Sequence, residues 1–183
     1  FIKKTKGDRF MNKKIMYIVT ILSTALLLFL DQIAKYLAVL HLKGQATIPI
    51  IKNVFELQYL ENQGAAFGIM QGKKTFFVIG TLIFLVIVVI LYHNIPLTKR
   101  FTPIRIVAVL IVAGAIGNMI DRVVHQYVID FFYFKLINFP IFNVADIYVV
   151  VACILFILLM LFYYKEEELG QIFPFMKNKK AEE

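Results

Sequence analysis

Residues 114–146 read GAIGNMIDRVVHQYVIDFFYFKLINFPIFNVAD. Only three acidic residues occur between Glu61 and Glu166. They are Asp121, Asp130 and Asp146, and all three lie in this stretch. Each one lies in or beside apolar sequence, where a charge is costly to bury unless it is paired. The stretch therefore contains candidate functional carboxylates at the edge of an apolar core.

The composition around this stretch is that of an integral membrane protein. The 183 residues are 60% hydrophobic and 17% charged, and the mean hydropathy is +0.76. A soluble domain of this size is far less apolar. Four segments, residues 15–40, 75–92, 106–120 and 147–164, approach the roughly 20 apolar residues that cross a bilayer. We expect all four to be transmembrane helices.

The first segment follows a basic leader, residues 1–14. A signal peptide has the same order of features, but here the apolar run is long and continues through AKYLAVL, so an uncleaved helix is the better interpretation. The MNKK run at Met11 marks residues 1–10 as candidate non-native sequence. We leave them out of the fold argument.

The basic residues predict the orientation of the chain. With the N-terminus inside, thirteen Lys and Arg residues lie on the inner side and seven on the outer side. This excess predicts that both termini are cytoplasmic, including a mobile or surface-lying tail at residues 165–183. The same topology brings the carboxylates of the four segments to the outer leaflet, whereas the inner halves of the segments are expected to be plainly apolar.

The two outer connections differ from simple turns. Residues 41–74 alternate β-branched and aromatic residues with polar ones, which predicts short strands, and include a Gly-flanked segment, Gly64 to Gly68, that allows close approach of the backbone. Residues 123–142 are rich in Phe and Tyr and are expected to form an interfacial cover over the helix ends.

The polar residues of the opening stretch have separable expected roles. Asn118, Asp121 and Arg122 share one helix face by their spacing. Asp121, next to Arg122, is expected to be ionised and structural. Asp130 has aromatic neighbours, and desolvation there would raise its pKa. Asp146 follows Asn143 by three residues, so capping of the fourth helix is the alternative to a catalytic role.

If the cover folds back, Asp130 and Asp146 meet at the outer rim. Two carboxylates that share a site retain one proton between them, and such a pair can hydrolyse an amide without a metal or a nucleophile. Amide side chains from Asn62, Asn118 and Asn143 could orient the carboxylates or an oxyanion. This hypothesis leaves the substrate open.

Other classes fit less well. The basic residues flank apolar spans rather than forming a nucleic-acid platform, the histidines lack zinc-ligand spacing, and Ser23 and Cys153 have no activating partner. A proton-coupled transporter would need polar groups at several depths. A non-catalytic anchor or assembly factor explains the spans but not the polar cluster. The GxGD pattern of another intramembrane aspartic peptidase class does not occur.

Five ordered segments add a family resemblance. They are DQIAKY at residues 31–36, ENQGAAFG at 61–68, GNMIDRV at 117–123, VIDF at 128–131 and FNVAD at 142–146. Their order and spacing resemble those of bacterial lipoprotein signal peptidase, signal peptidase II, over about residues 13–165. VIDF stands where VVDF is commoner, a conservative change. The fold class implied is an all-α membrane protein with four transmembrane helices, a small extracytoplasmic β-sheet from the first outer connection and a mobile cover loop from the second.

The resemblance also implies the function. It indicates an aspartic endopeptidase of the cytoplasmic membrane that cleaves the signal peptide from diacylglyceryl-modified prolipoproteins just before the lipidated cysteine. The implied domain organisation is the leader, a peptidase domain at residues 15–164 and the tail. The implied partners are prolipoproteins and membrane lipids, with no metal, cofactor or nucleic acid, and we expect a monomer. The implied catalytic dyad is Asp130 and Asp146, and the implied supporting residues are Asn62, Asn118, Asp121, Arg122, Asn143, Asp31 and Lys35.

Overall fold

The computed structural model describes residues 12–64 and 72–173. Its four long helices are α1 (Lys13–Leu42), α2 (Lys74–Asn94), α3 (Thr102–Val124) and α4 (Val144–Leu158). With the short turns that adjoin α3 and α4, all four are long and apolar enough to cross a membrane. The four predicted spans are therefore confirmed, each with somewhat different ends.

The helix ends follow from local chemistry. Asn12 caps α1 by accepting hydrogen bonds from the backbone nitrogens of Lys14 and Ile15. A 3₁₀ turn, Lys99–Phe101, leads into α3, and Pro103 stands in its first turn, where a missing N–H costs nothing. α4 continues into a π-helical turn, Leu159–Tyr163.

A three-stranded antiparallel sheet lies at one end of the bundle. Its strands are β1 (Ile48–Ile51), β2 (Phe55–Asn62) and β3 (Val128–Tyr133), in the order β1-β2-β3. The expectation that the first connection alone forms the sheet is wrong. The second connection supplies β3, because its β-branched and aromatic run VIDFFY pairs with the free edge of β2. Asp130 lies on this third strand.

The rest of the second connection folds back over the sheet. Lys135, in a 3₁₀ turn at Lys135–Ile137, donates to Glu56 on β2 at 2.7 Å. Phe132 and Phe142 then exchange backbone hydrogen bonds of 2.8 and 3.0 Å. This bridge returns the chain beside β3 immediately before α4 begins, and so brings the Asp146 region toward Asp130.

Small residues allow α3 to pack closely against both α4 and α1. Ala113 and Ala145 are completely buried. A Cβ atom added at Gly114 would lie 2.6 Å from the carbonyl oxygen of Ala145, and one added at Gly117 would lie 2.5 Å from Asp31 Oδ2. Close approach of this kind is how helices associate in membranes, where burial of apolar surface drives little.

The opposite end of the bundle is more structured and more polar than expected. Within the expected mobile or surface-lying tail, residues 166–172 form α5 (Glu166–Ile172), whose Leu169 and Ile172 are buried in one apolar cluster with Phe101. The halves of the helices at this end, which the predicted topology places on the inner side, are also not purely apolar. Polar side chains pair there between α1 and α2: Tyr17 with His93 at 3.3 Å, and Thr20 with Tyr92.

Candidate active site

Asp130 is buried, with an exposed fraction of 1%. Its Oδ1 accepts a hydrogen bond from Asn143 Nδ2 at 2.6 Å, and its Oδ2 accepts one from Asn62 Nδ2 at 2.8 Å. Burial raises the pKa of Asp130 to about 7, with a further contribution from the charge of Asp146, against the two amide hydrogen bonds. The direction of this shift is the one that the sequence predicts for this carboxyl.

Asp146 lies in the first turn of α4. Its Oδ2 accepts from the backbone nitrogen of Asn143 at 3.0 Å, and Asn143 Oδ1 accepts from the backbone nitrogen of Asp146 at 3.0 Å, which forms a capping box. The capping alternative is therefore confirmed. Capping leaves Asp146 Oδ1 available, and this oxygen accepts from Asn118 Nδ2 at 2.8 Å. Asp146 can thus cap α4 with one carboxylate oxygen and take part in the candidate site with the other.

Asn143 joins the two carboxylates. Its backbone nitrogen donates to Asp146, while its side-chain amide donates to Asp130 and, at 3.1 Å, to Asn118 Oδ1. Asn143 is fully buried, so these bonds form away from water. The structure brings Asp130 and Asp146 to one site, as the folded-back cover predicted.

A buried ion cluster lies beneath this site. Lys35 Nζ lies 3.0 Å from Asp31 Oδ2 and 3.0 Å from Asp121 Oδ2, and all three side chains are at most 2% exposed. Asp121 is expected to be held by hydrogen bonds or charge pairing, and the cation with which it pairs is Lys35 rather than the neighbouring Arg122. Successive residues of a helix point in different directions, and Asp121 faces α1 instead.

Each inner carboxylate holds the backbone next to one outer carboxylate. Asp31 Oδ1 accepts from the backbone nitrogen of Ala145 at 2.9 Å, one residue before Asp146. Asp121 Oδ2 accepts from the backbone nitrogen of Ile129 at 3.1 Å, one residue before Asp130. The ion cluster therefore fixes the position of both carboxylates through the main chain.

Arg122 borders the site from the other side. Its Nη2 donates to the carbonyl oxygen of Gly64 at 3.0 Å and its Nη1 to that of Asn118 at 3.3 Å. Its guanidinium carbon lies 4.8 Å from the centre of the Phe77 ring. The rest of the Gly-flanked segment after Gly64, up to Gly68, lies outside the described residues.

Gln32 is a contributor that the sequence interpretation missed. Its amide nitrogen lies within 3.1 to 3.4 Å of Asp31 Oδ2, Asp121 Oδ1 and the carbonyl oxygen of Gly117. The sequence feature that could have identified Gln32 is its position in the segment DQIAKY, directly after the candidate residue Asp31.

The two candidate carboxylates line a cleft of about 530 Å³. Its polar wall consists of Asn62, Asn118, Arg122, Asp130 and Asp146. The opposite wall is apolar and is formed by the cover, around Phe139 to Phe142, and by the first two turns of α4. Within residues 12–64 and 72–173, no group of three or more His, Cys, Asp or Glu side chains is arranged to hold a metal ion. Because a polar wall faces an apolar wall, the cleft can receive an extended chain that places its apolar substituents on one side and its backbone beside the two carboxyls.

A family model described as signal peptidase (SPase) II matches residues 23–162. The chain belongs to the signal peptidase II family. The match contains every residue of the cleft and of the ion cluster. Asp31, near one end of the matched range, and Asp146, near the other, are both part of the buried network described above.

Individual relatives agree with this assignment. The lipoprotein signal peptidase of Caldanaerobacter subterraneus subsp. tengcongensis is 44% identical over 136 residues, which cover 74% of this chain and 90% of that protein. That of Streptococcus pyogenes is 39% identical over 150 residues, which cover 82% and 95%. A solved bacterial membrane enzyme at 1.9 Å resolution superposes with a TM-score of 0.68 at 32% identity, covering 80% of this chain and 94% of that one.

Proposed function

We propose that this signal peptidase II family member cleaves the signal peptide from diacylglyceryl-modified prolipoproteins just before the lipidated cysteine, with Asp130 and Asp146 as its catalytic dyad. The single observation that carries the dyad is the hydrogen bonding of both carboxylates to one residue, Asn143, in a cleft beside an apolar wall. The curated relatives are named lipoprotein signal peptidases, which supports the substrate class.

The dyad would act on a water molecule. The ionised carboxylate removes a proton from water as the water oxygen attacks the scissile carbonyl carbon, and the protonated carboxyl gives its proton to the carbonyl oxygen. The tetrahedral diol then collapses. One hydroxyl proton returns to a carboxylate, the C–N bond breaks, and the leaving nitrogen takes up a proton from the dyad. No covalent bond to the enzyme forms.

The environments of the two carboxyls support a division of labour. Burial raises the pKa of Asp130 to about 7, which favours Asp130 as the member that holds the proton. Asp146 accepts hydrogen bonds from Asn118 Nδ2 and from the backbone nitrogen of Asn143. Because the two groups titrate together, the proton belongs to the pair rather than to one residue in every state.

The cleft also suits a lipid-modified substrate. A diacylglyceryl cysteine keeps its chains in the bilayer, so its scissile bond lies near the membrane surface. The apolar cover and α4 wall can contact those chains while the amide-rich wall orients the peptide.

The orientation and assembly state are part of the proposal. More Lys and Arg residues lie on the side of both termini than on the side of the dyad. This excess favours cytoplasmic termini and a dyad at the outer leaflet. We also propose that membrane lipids surround a monomer that needs no cofactor and binds no nucleic acid.

Cleavage of a diacylated prolipoprotein peptide in detergent tests the dyad. Asp130→Asn and Asp146→Asn should each abolish turnover while the protein still elutes as a folded species, since Asn keeps the shape of the side chain. Asp121→Asn should retain partial turnover if the protein folds. Glu61→Gln, at an exposed carboxylate of the same sheet, is the matched control and should leave turnover unchanged.

Full activity of Asp130→Asn would exclude the dyad, and inhibition by a zinc chelator would exclude a metal-free reaction. Equal cleavage of the same peptide without its lipid would contradict the proposed substrate class.

The orientation is tested separately in a Cys153→Ser background with an impermeant maleimide applied to intact cells. Lys43→Cys should be labelled and Lys99→Cys should not, and the reverse result would overturn the topology.

A further inference from the structure

A groove of about 650 Å³ runs between α1 and α3 at the end of the bundle opposite to the dyad. Its mouth is formed by Asn12, Lys99, Thr102 and Arg105, and its wall continues along α1 as far as Leu27 and along α3 as far as Leu110. None of the residues described above as part of the candidate active site lines this groove.

The mouth of the groove is electropositive for two reasons. The N-terminal ends of α1 and α3 both open onto it, through Asn12 and Thr102, and neither helix has an acidic residue in its first turn. Two helix N-termini that lie side by side present the positive ends of both helix dipoles. Lys99 adds a full charge, and no acidic residue is among the described residues that line the groove. Such a mouth favours an anion.

Arg105 is a second, independent indication of an anion. It is only 5% exposed, and its Nη2 donates to the carbonyl oxygens of Ile95 and Pro96 at 3.1 and 2.5 Å. Its Nε and Nη1 are buried and have no hydrogen-bond partner, and within the described residues no carboxylate forms an ion pair with it. A buried guanidinium without a carboxylate is costly unless another anion compensates for it.

The remaining wall of the groove is apolar and open to the bilayer. Ile15, Val19 and Leu26 line it and are exposed in the protein. From Asn12 to Leu27 the wall rises about 22 Å at roughly 1.5 Å per residue. One leaflet contributes about 15 Å of hydrocarbon, half of the bilayer core. The wall is therefore long enough for an acyl chain that lies along α1.

We propose that this groove binds one anionic phospholipid, with its phosphate at the Lys99–Arg105 mouth and one acyl chain along the apolar wall. In the orientation proposed above, the lipid comes from the cytoplasmic leaflet. Free phosphate shares the headgroup chemistry and could occupy the mouth, but it would gain nothing from the wall. The proposal concerns binding alone and does not depend on the dyad.

Titration of the purified protein in detergent, followed by native mass spectrometry, tests the site. Dioleoyl-phosphatidylglycerol should be retained at one molecule per chain, and dioleoyl-phosphatidylcholine at least about tenfold more weakly, since the zwitterion brings no net charge. Inorganic phosphate at millimolar concentration should not displace the lipid. Equal retention of the two lipids would overturn the proposal, and displacement by phosphate would reduce the site to one for a free anion.

Two matched pairs of variants locate the bound lipid. Lys99→Gln should weaken phosphatidylglycerol binding about fivefold, whereas Lys14→Gln, which removes the same charge nearby but outside the groove, should not. Ser23→Phe fills the groove and should abolish retention, whereas Ile83→Phe, on the exposed face of α2, should leave it unchanged.

All four variants should cleave the prolipoprotein peptide normally, which shows that they are folded. An equal effect of Lys14→Gln and Lys99→Gln, or full retention by Ser23→Phe, would contradict the assigned groove. Asp130→Asn should still retain the lipid, so a failure of the lipid site and a failure of the proposed peptidase mechanism give different results.

Discussion

Lys35 Nζ donates a hydrogen bond to Asn118 Oδ1 at 2.9 Å, and this bond fixes which end of the Asn118 side chain faces Asp146. A lysine ammonium has only donors, so it must meet the amide oxygen. Asn143 Nδ2 donates to the same oxygen. The amide nitrogen of Asn118 is left to donate to Asp146. The buried ion cluster therefore orients the candidate site through side chains as well as through the main chain.

We expect Lys35→Met to destabilise the protein by about 3–5 kcal/mol, the usual effect of removing one partner from a buried ion pair. Met matches the length of the Lys stem but leaves Asp31 and Asp121 facing each other without a cation. Thermal unfolding in detergent measures the loss. Any folded fraction should also cleave the substrate poorly, because the side-chain amide of Asn118 can then rotate and no longer needs to donate to Asp146.

Lys43→Met is the control for this prediction. Lys43 pairs with Glu61 at 2.8 Å, but the two side chains are 51% and 36% exposed, against at most 2% in the cluster around Lys35. Exposed pairs contribute little, so the unfolding temperature should hardly change. If the two variants unfold alike, the cluster around Lys35 does not hold the fold together.

Gly117→Ala should disturb the site through packing. Its Cβ would lie 2.5 Å from Asp31 Oδ2, and that oxygen cannot withdraw without leaving Lys35. We expect a destabilisation of about 1–3 kcal/mol, typical of an overpacked core, together with reduced cleavage. Gly80→Ala is the matched control. Nothing lies within 4 Å of its new Cβ, so the substitution should be neutral or stabilising by about 0.5–1 kcal/mol. Equal unfolding temperatures for the two variants would contradict this interpretation.

The four helices could be predicted from sequence because a bilayer span depends on local composition. Residues 75–92, for example, need only be uncharged and long enough, and α2 covers them. The capping box of Asn143 and Asp146 was also accessible, since its two members are three residues apart.

The parts that escaped prediction depend on contacts between distant residues. The run VIDFFY is short and apolar, and whether it covers the site or joins a sheet depends on the edge that β2 leaves free. Likewise, Asp121 has Arg122 beside it in sequence, but its partner is Lys35 on another helix. The candidate dyad and most members of the network that positions it could be named from sequence, whereas the contacts between those members could not.

Stability should depend on pH through Asp130. Burial raises its pKa to about 7 in the folded protein, whereas an unfolded Asp titrates near about 3.9. Between these values the folded state binds the proton more tightly, so its contribution to stability is complete below about pH 4 and is lost as the pH rises to about 7. The unfolding temperature of the wild type should therefore be higher at pH 5 than at pH 8.

Asp130→Asn should remove most of this dependence on pH, because an amide does not titrate in this range. Glu61→Gln should keep it. Hydrogen bonding from Lys43 lowers the pKa of Glu61, so Glu61 titrates below the range compared. If Asp130→Asn retains the full difference between pH 5 and pH 8, the proton bound by the folded state belongs to another group.

Asn62→Ala should change the pH profile of cleavage as well as its rate. Asn62 Nδ2 donates to Asp130 Oδ2 at 2.8 Å and thereby lowers the pKa of that carboxyl against the effect of burial. Without this bond Asp130 holds its proton to higher pH, so the alkaline limb of kcat/KM, which reports loss of the single proton of the dyad, should move upward. Loss of a hydrogen bond to a charged group costs about 1.5–3 kcal/mol, or roughly ten- to hundredfold in rate if the bond acts in the transition state. Gln58→Ala, on the same strand, is the control and should keep both the rate and the limb. A slower enzyme whose alkaline limb does not move would mean that Asn62 positions the substrate and leaves the proton of Asp130 untouched.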